Sequence, residues 1–184
     1  LLFLLLETLA SRLVSTSWTP FLYLIQLFVS QGIVIGLILG YSQFKPGTAR
    51  WLSLFYMLLL LPLQWTLVID QRVSLEEQLA SVWGRLYFSV SELIAQRPVD
   101  DPIFFVTVMS IAFWIVSSSA GFSLTRYQNY LRAVIPSAIG ILVIQHYDNI
   151  VAERIWWLGF FTLLALFLLG RLYFLQNRVS WQAR

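Results

Sequence analysis

The chain holds one histidine, His146, no cysteine, and two adjacent carboxylates, Asp100 and Asp101, directly before Pro102. A histidine flanked by Tyr147 and Asp148 has the chemistry to ligate a metal or the magnesium of a chlorophyll, or to pass a proton. A soft metal site needs several ligands at fixed spacing, and His146 stands alone. It reads as a polar group at a membrane interface, with pigment ligation as the alternative. The lack of cysteine removes disulfides, thiolate nucleophiles, C-x-x-C-H haem attachment and thiolate metal sites. Neighbouring residues do not face each other on a helix, so Asp100 and Asp101 read as helix-start charge rather than an acid/base pair. The sequence also lacks a G-x-S-x-G elbow, an H-E-x-x-H pair and a G-x-x-x-x-G-K phosphate loop. No catalytic residue, cofactor or metal is expected in this stretch of chain.

Other chemistry-bearing groups sit inside apolar stretches. Gln26, Gln31 and Gln64 must each face another helix or a small wet cavity rather than lipid. They do not make a transport path, which calls for intramembrane carboxylates, broken helices in matching places or an inverted repeat. Gly32, Gly36 and Gly40 recur every fourth residue and share one helix face, where they permit close backbone approach. The spacing serves packing within the chain first, and contact with a dimer mate or partner subunit second. Ser117 with Gly121, and Ala133 with Ser137, repeat the pattern with other small residues.

The elements that carry these residues are set by composition. Of the 184 residues 59% are hydrophobic and 11% charged, with a mean hydropathy of +0.76. Soluble domains are about one quarter charged, and a water-soluble fold has no way to hide this much apolar surface. Net charge is only +3 and the arginines stand singly beside apolar segments, which excludes a nucleic-acid partner. The expected architecture is one all-α membrane domain of six spans. They lie at about residues 1–17, 21–40, 51–69, 103–124, 131–145 and 155–175, near the ~20 residues needed to cross a bilayer. Glu7 and Arg12 interrupt the first span, which reads as continuing upstream of Leu1, since there is no initiator Met and no secretory cleavage pattern. Pro62 should kink the third span, and Pro136 with Gly140 should tilt or break the fifth.

Residues 74–96 have a different character. Ser74-Leu75-Glu76-Glu77 is a capping-box sequence, followed by Leu75, Leu79, Val82, Leu86, Val90 and Leu93 at spacings of three and four. Trp83, Tyr87 and Ile94 widen that face, predicting an amphipathic helix on the membrane surface or roofing the bundle. Charge then sets the orientation. Lys45, Arg50, Arg126, Arg132, Arg171, Arg178 and Arg184 occupy the second, fourth and final connections, where no acid occurs. Glu7, Asp70, Glu76, Glu77, Glu92, Asp100, Asp101, Asp148 and Glu153 all fall on the opposite side. The positive-inside rule places both chain ends in the cytoplasm and the amphipathic helix outside. Five spans with an external N-terminus is the alternative if the first segment rests on the surface.

Trp18-Thr19-Pro20-Phe21, Asp100-Asp101-Pro102-Ile103-Phe104-Phe105-Val106, Phe113-Trp114, Leu131-Arg132-Ala133-Val134-Ile135-Pro136 and an arginine-rich tail with Trp181 follow one another in order. Together they resemble the N-terminal membrane region of bacterial transglutaminase-like membrane proteins. The resemblance implies several spans in the bacterial inner membrane, ahead of a further span and an extracytoplasmic papain-like domain that would lie beyond Arg184. It carries no catalytic residue onto this chain, and His146 departs from its pattern. The expected function is a non-catalytic membrane anchor or scaffold that packs against partner membrane subunits. An accessory subunit of a photosynthetic or respiratory complex, touching pigment or quinone, is the first alternative, and a small transporter the second.

Overall fold

The computed structural model describes residues 1–68, 74–148 and 154–182. All regular structure among them is helical, in seven helices. In chain order these are α1 (Leu2–Val14), α2 (Tyr23–Tyr41), α3 (Pro46–Trp65, closed by a 3-10 turn at Thr66–Val68), α4 (Leu75–Ile94), α5 (Pro102–Tyr127), α6 (Tyr130–Tyr147) and α7 (Trp156–Gln182). Ile69, Asp70, Glu153 and Arg184, used above to place spans and charges, lie outside the described residues.

Four helices are long and apolar enough to cross a membrane: α2, α3 with its turn, α5, and α7 as far as Asn177. The predicted spans at 1–17 and 131–145 correspond to α1 and α6, which are not among the four. The 13 residues of α1 rise only ~20 Å, against ~30 Å of hydrocarbon.

Local chemistry explains where the helix ends depart from the expected ones. Pro46 fixes φ at the first turn of α3 with Lys45 as the cap, so the helix starts five residues before Trp51 and takes Arg50 into its second turn. Pro62 lies inside α3, which runs on to Trp65, and α6 continues through Pro136 as one helix of 18 residues. Asp101 caps α5 and accepts from Ile103 N–H at 2.9 Å, with Pro102 at the first position. Asn129 does the same for α6, accepting from Arg132 N–H at 3.0 Å. Gln128 between them takes φ 50°, a left-handed stop that reverses the chain in two residues. The tail expected after Leu175 is helical to Gln182, since neither Gly nor Pro intervenes.

The core gathers around α1, α2 and α5. On α1, Leu5, Leu6, Leu9, Ala10 and Leu13 are all buried, and they meet Leu24, Ile25 and Phe28 of α2 and Ile103 and Val106 of α5 in one apolar cluster. Trp114 of α5 is buried edge-on to Phe28, ring centres 6.2 Å apart. The outer helices are looser, with 22% of the spanning window of α3 and of α7 buried against 50% for α2 and α5.

Ser74 caps α4 as its sequence requires, accepting from Glu77 N–H at 3.4 Å. The packed side of α4 is turned away from the centre of its apolar face. Gln78, Val82 and Ser89 are buried, while Trp83, Tyr87, Val90 and Ile94 form an exposed stripe. Arg85 of the same helix pairs with Asp101, as described below.

Candidate functional site: buried polar groups and two cavities

A fully buried arginine joins the ends of α1 and α6. Arg12 is 0% exposed and gives Nη2 to Asp148 Oδ2 at 2.6 Å. Its Nε and Nη2 both donate to Gln145 Oε1, at 3.1 and 3.0 Å, and Nη1 reaches Ser15 Oγ at 3.3 Å. Arg154, just before α7, donates to the same Asp148 oxygen at 3.1 Å. A buried guanidinium demands a paired carboxylate and acceptors for its remaining protons, and the ends of α1 and α6 supply them through Ser15, Gln145 and Asp148. Asp148 is occupied by two cations, which suits a structural clasp rather than a proton acceptor.

Two further pairs join α1 to α2. Gln26 Nε2 donates to Ser11 Oγ at 3.0 Å, and Ser30 Oγ donates to Glu7 Oε1 at 2.6 Å. Partners four residues apart on each helix meet in antiparallel register, so one α1 stripe reads one α2 stripe. Gln64 of α3 donates to Gln31 of α2, which gives all three glutamines a partner on a facing helix. Gln64 Oε1 and Trp65 Nε1 are buried with no hydrogen-bond partner among the described residues.

The α2–α5 seam brings Gly32, Gly36 and Gly40 onto Ser117, Gly121 and their neighbours. A methyl added to Gly36 would lie 2.9 Å from the carbonyl carbon and Cα of Ser118, and one added to Gly121 would lie 3.0 Å from Ile33 O and 3.1 Å from Leu37 N. Gly32 faces Ser117, and Gly40 faces Thr125. Backbone approaches backbone here, and only hydrogen fits. Ser137 and Ala133 of α6 are buried as well.

Arg85 clamps α4 to the start of α5 with two bonds of 2.8 Å to the Asp101 carboxylate. Burial works to raise the Asp101 pKa, but the Arg85 hydrogen bonds, the Ile103 N–H and the Arg85 charge outweigh it and hold the carboxyl below its ordinary range. His146 is exposed at the end of α6, its ring edge-on to Tyr147 at 5.2 Å. No group of three or more His, Cys, Asp or Glu side chains among the described residues is placed to hold a metal ion. Asp100 is exposed while Asp101 is the cap, so the adjacent pair divides its roles.

Two cavities of about 550 Å³ each complete the site. One lies between α1, α5 and α6 and is almost wholly apolar, with Trp18 and Tyr147 among its lining residues. The other lies between α2, α3 and α5 and carries Arg50 and Arg132. In sequence, Arg12 reads as an interruption of a span. The available signal was that a lone arginine in an apolar run needs a buried acid, and Asp148 stood at the same end of the bundle. The Trp114–Ser53 bond between α5 and α3, at 3.2 Å, had no comparable signal.

These features define a helical, membrane-embedded protein. No known family model, curated protein or solved structure matches the chain.

Proposed function

We propose that the chain is a membrane-spanning anchor or scaffold module of the bacterial inner membrane, packing against partner membrane subunits. In this reading α1 and α6 join the four long helices as spans and both ends lie in the cytoplasm. The plan resembles the spanning region of a transglutaminase-like membrane protein. The observation that carries the proposal is the apolar surface left over after the chain has packed on itself. On α7, Phe160, Leu163, Leu166, Phe167 and Leu175 are all exposed, and on α4 the Trp83–Tyr87–Ile94 stripe points away from the bundle. Patches of this size in a membrane protein meet lipid or other helices. The basic ends of α3, α5 and α6 support the orientation through the positive-inside rule. Cross-linking in native membranes followed by mass spectrometry of the mild-detergent extract tests it: a co-purifying membrane subunit cross-linked through α7 or α4 is expected, and a lone monomer overturns the partner claim.

A second reading, an accessory subunit of an energy-converting complex, is favoured by the apolar cavity between α1, α5 and α6. Its volume and aromatic lining suit a quinone ring or pigment edge. Organic extraction and absorption spectroscopy of the native complex decide that reading, which falls if neither quinone nor pigment is recovered.

A further inference from the structure

The cavity between α2, α3 and α5 differs from the other in one respect: its lining changes character along its length. On α5 the wall runs from Tyr127 down to Trp114, thirteen residues or ~20 Å of helix. At the shallow end stand Arg50 of α3 and Arg132 of α6, with Ser123 of α5 in the same lining. At the deep end stand Met57, Leu54 and Ile115, closed off where Trp114 Nε1 donates to Ser53 Oγ at 3.2 Å. No carboxylate lines the cavity, and neither arginine has an ion pair among the described residues. Arg132 is held over the Tyr127 ring, its guanidinium carbon 5.9 Å from the ring centre, a contact that leaves its N–H groups able to bind an anion. The neighbouring Arg126 is already engaged with the Ser42 carbonyl and belongs to the turn. Two uncommitted guanidiniums above an apolar shaft fit a molecule with an anionic head and a hydrocarbon tail.

We infer that this cavity binds one anionic membrane phospholipid, its phosphate at Arg50 and Arg132 and one acyl chain running down α5 towards Met57. The inference rests on the membrane reading of the chain. Zwitterionic lipids share the tail but carry a compensating cation, so the two arginines select against them. A basic residue at a charged membrane surface contributes about a five-fold gain in affinity, and two together about thirty-fold.

The test is native mass spectrometry of the full chain in mild detergent, titrated with phosphatidylglycerol, with phosphatidylcholine of the same acyl chains, and with glycerol phosphate alone. About thirty-fold tighter binding of phosphatidylglycerol than phosphatidylcholine is expected, with glycerol phosphate unable to compete at equal concentration. The Arg50→Gln/Arg132→Gln double variant should lose that preference. A Lys45→Gln/Arg171→Gln control, which removes the same charge outside the cavity, should keep it. Ser119→Phe, which fills the cavity from an exposed position on its wall, should weaken both lipids. Equal binding of the two lipids, a preference that survives the double arginine variant, or one lost equally in the control overturns the inference. Glycerol phosphate binding as tightly as the lipid overturns the lipid assignment in favour of a soluble phosphoester. Alkaline carbonate washing of the source membranes separates the two levels: protein that washes off refutes the membrane reading itself, whereas embedded protein without lipid preference refutes only the lipid site.

Discussion

Asp148→Asn should destabilise the protein more than Arg12→Met, although both break the same 2.6 Å pair. The asymmetry comes from what each change leaves behind. With an amide at position 148, Arg12 remains 0% exposed, facing Gln145 Oε1 and Ser15 Oγ, with no anion to balance its charge. An uncompensated buried charge costs about 3–5 kcal/mol. With methionine at position 12, Asp148 keeps Arg154 at 3.1 Å, and the loss is closer to that of unpaired hydrogen-bonding groups, about 1–3 kcal/mol. The expected gap of about 2 kcal/mol is a factor of roughly 30 in the unfolding equilibrium. The Arg12→Met/Asp148→Asn double variant removes the stranded charge and should be more stable than Asp148→Asn alone. Unfolding by increasing mole fraction of sodium dodecyl sulfate in dodecyl maltoside micelles, followed by tryptophan fluorescence, measures all three. The reasoning is refuted if Arg12→Met costs as much as Asp148→Asn, or if the double variant is the least stable of the set.

Further outcomes follow from other contacts. Gly36→Val should cost at least about 3 kcal/mol or prevent folding, because its side chain meets Ser118 backbone, while Gly47→Ala, whose added methyl meets nothing within 4 Å, should be neutral or gain up to about 1 kcal/mol in the same denaturation. Asp101 is held below its ordinary value of 3.8, so its contribution is fully present above that pH and is lost as pH falls through the folded value. Proteolysis of the α4–α5 connection should therefore accelerate below about pH 4 in the parent but show no such step in Asp101→Asn; because Arg85 is 41% exposed the stabilisation lost is under about 1 kcal/mol. The absence of cysteine gives a clean background for topology mapping: an impermeant maleimide should label Ser81→Cys in intact spheroplasts and Gln43→Cys only after permeabilisation, and the reverse pattern inverts the orientation.

The sequence was most legible where a residue's chemistry leaves one solution. Spacing alone put Gly32, Gly36 and Gly40 on one face, and the structure sets that face on Ser117, Ser118 and Gly121 of α5. The cap at Ser74 and the proline start at residue 102 are likewise local, fixed by backbone groups within a few positions. What escaped was anything decided between distant segments. Periodicity describes an apolar face but not the angle at which it docks, and α4 settles with Trp83 and Tyr87 outward, Val82 buried and Arg85 paired with Asp101. In sequence Glu7 and Arg12 interrupt the apolar run of α1, and in three dimensions the same two residues bind it to α2 and α6. The cavities are negative shapes between helices, and no single segment encodes them.

The distribution of polar contacts also argues for where the molecule gives way. Inside a bilayer lipid is as apolar as leucine, so helices associate through small residues and hydrogen bonds rather than through hydrophobic burial. By that measure α1, α2, α5 and α6 are joined by the Glu7, Ser11, Arg12 and glycine contacts. On α7 the Tyr130 hydroxyl donates to the Ala165 carbonyl at 3.0 Å, Arg154 at its root reaches Asp148, and Phe161, Leu164, Ala165 and Leu168 are buried in the core. Its remaining side chains are mostly Phe and Leu with outward faces, and Gly159 and Gly170 have open space where a methyl would go. Only 22% of its spanning window is buried, against 50% for α2 and α5. On the scaffold reading proposed above, that outward face is the surface of α7 that a partner helix would cover.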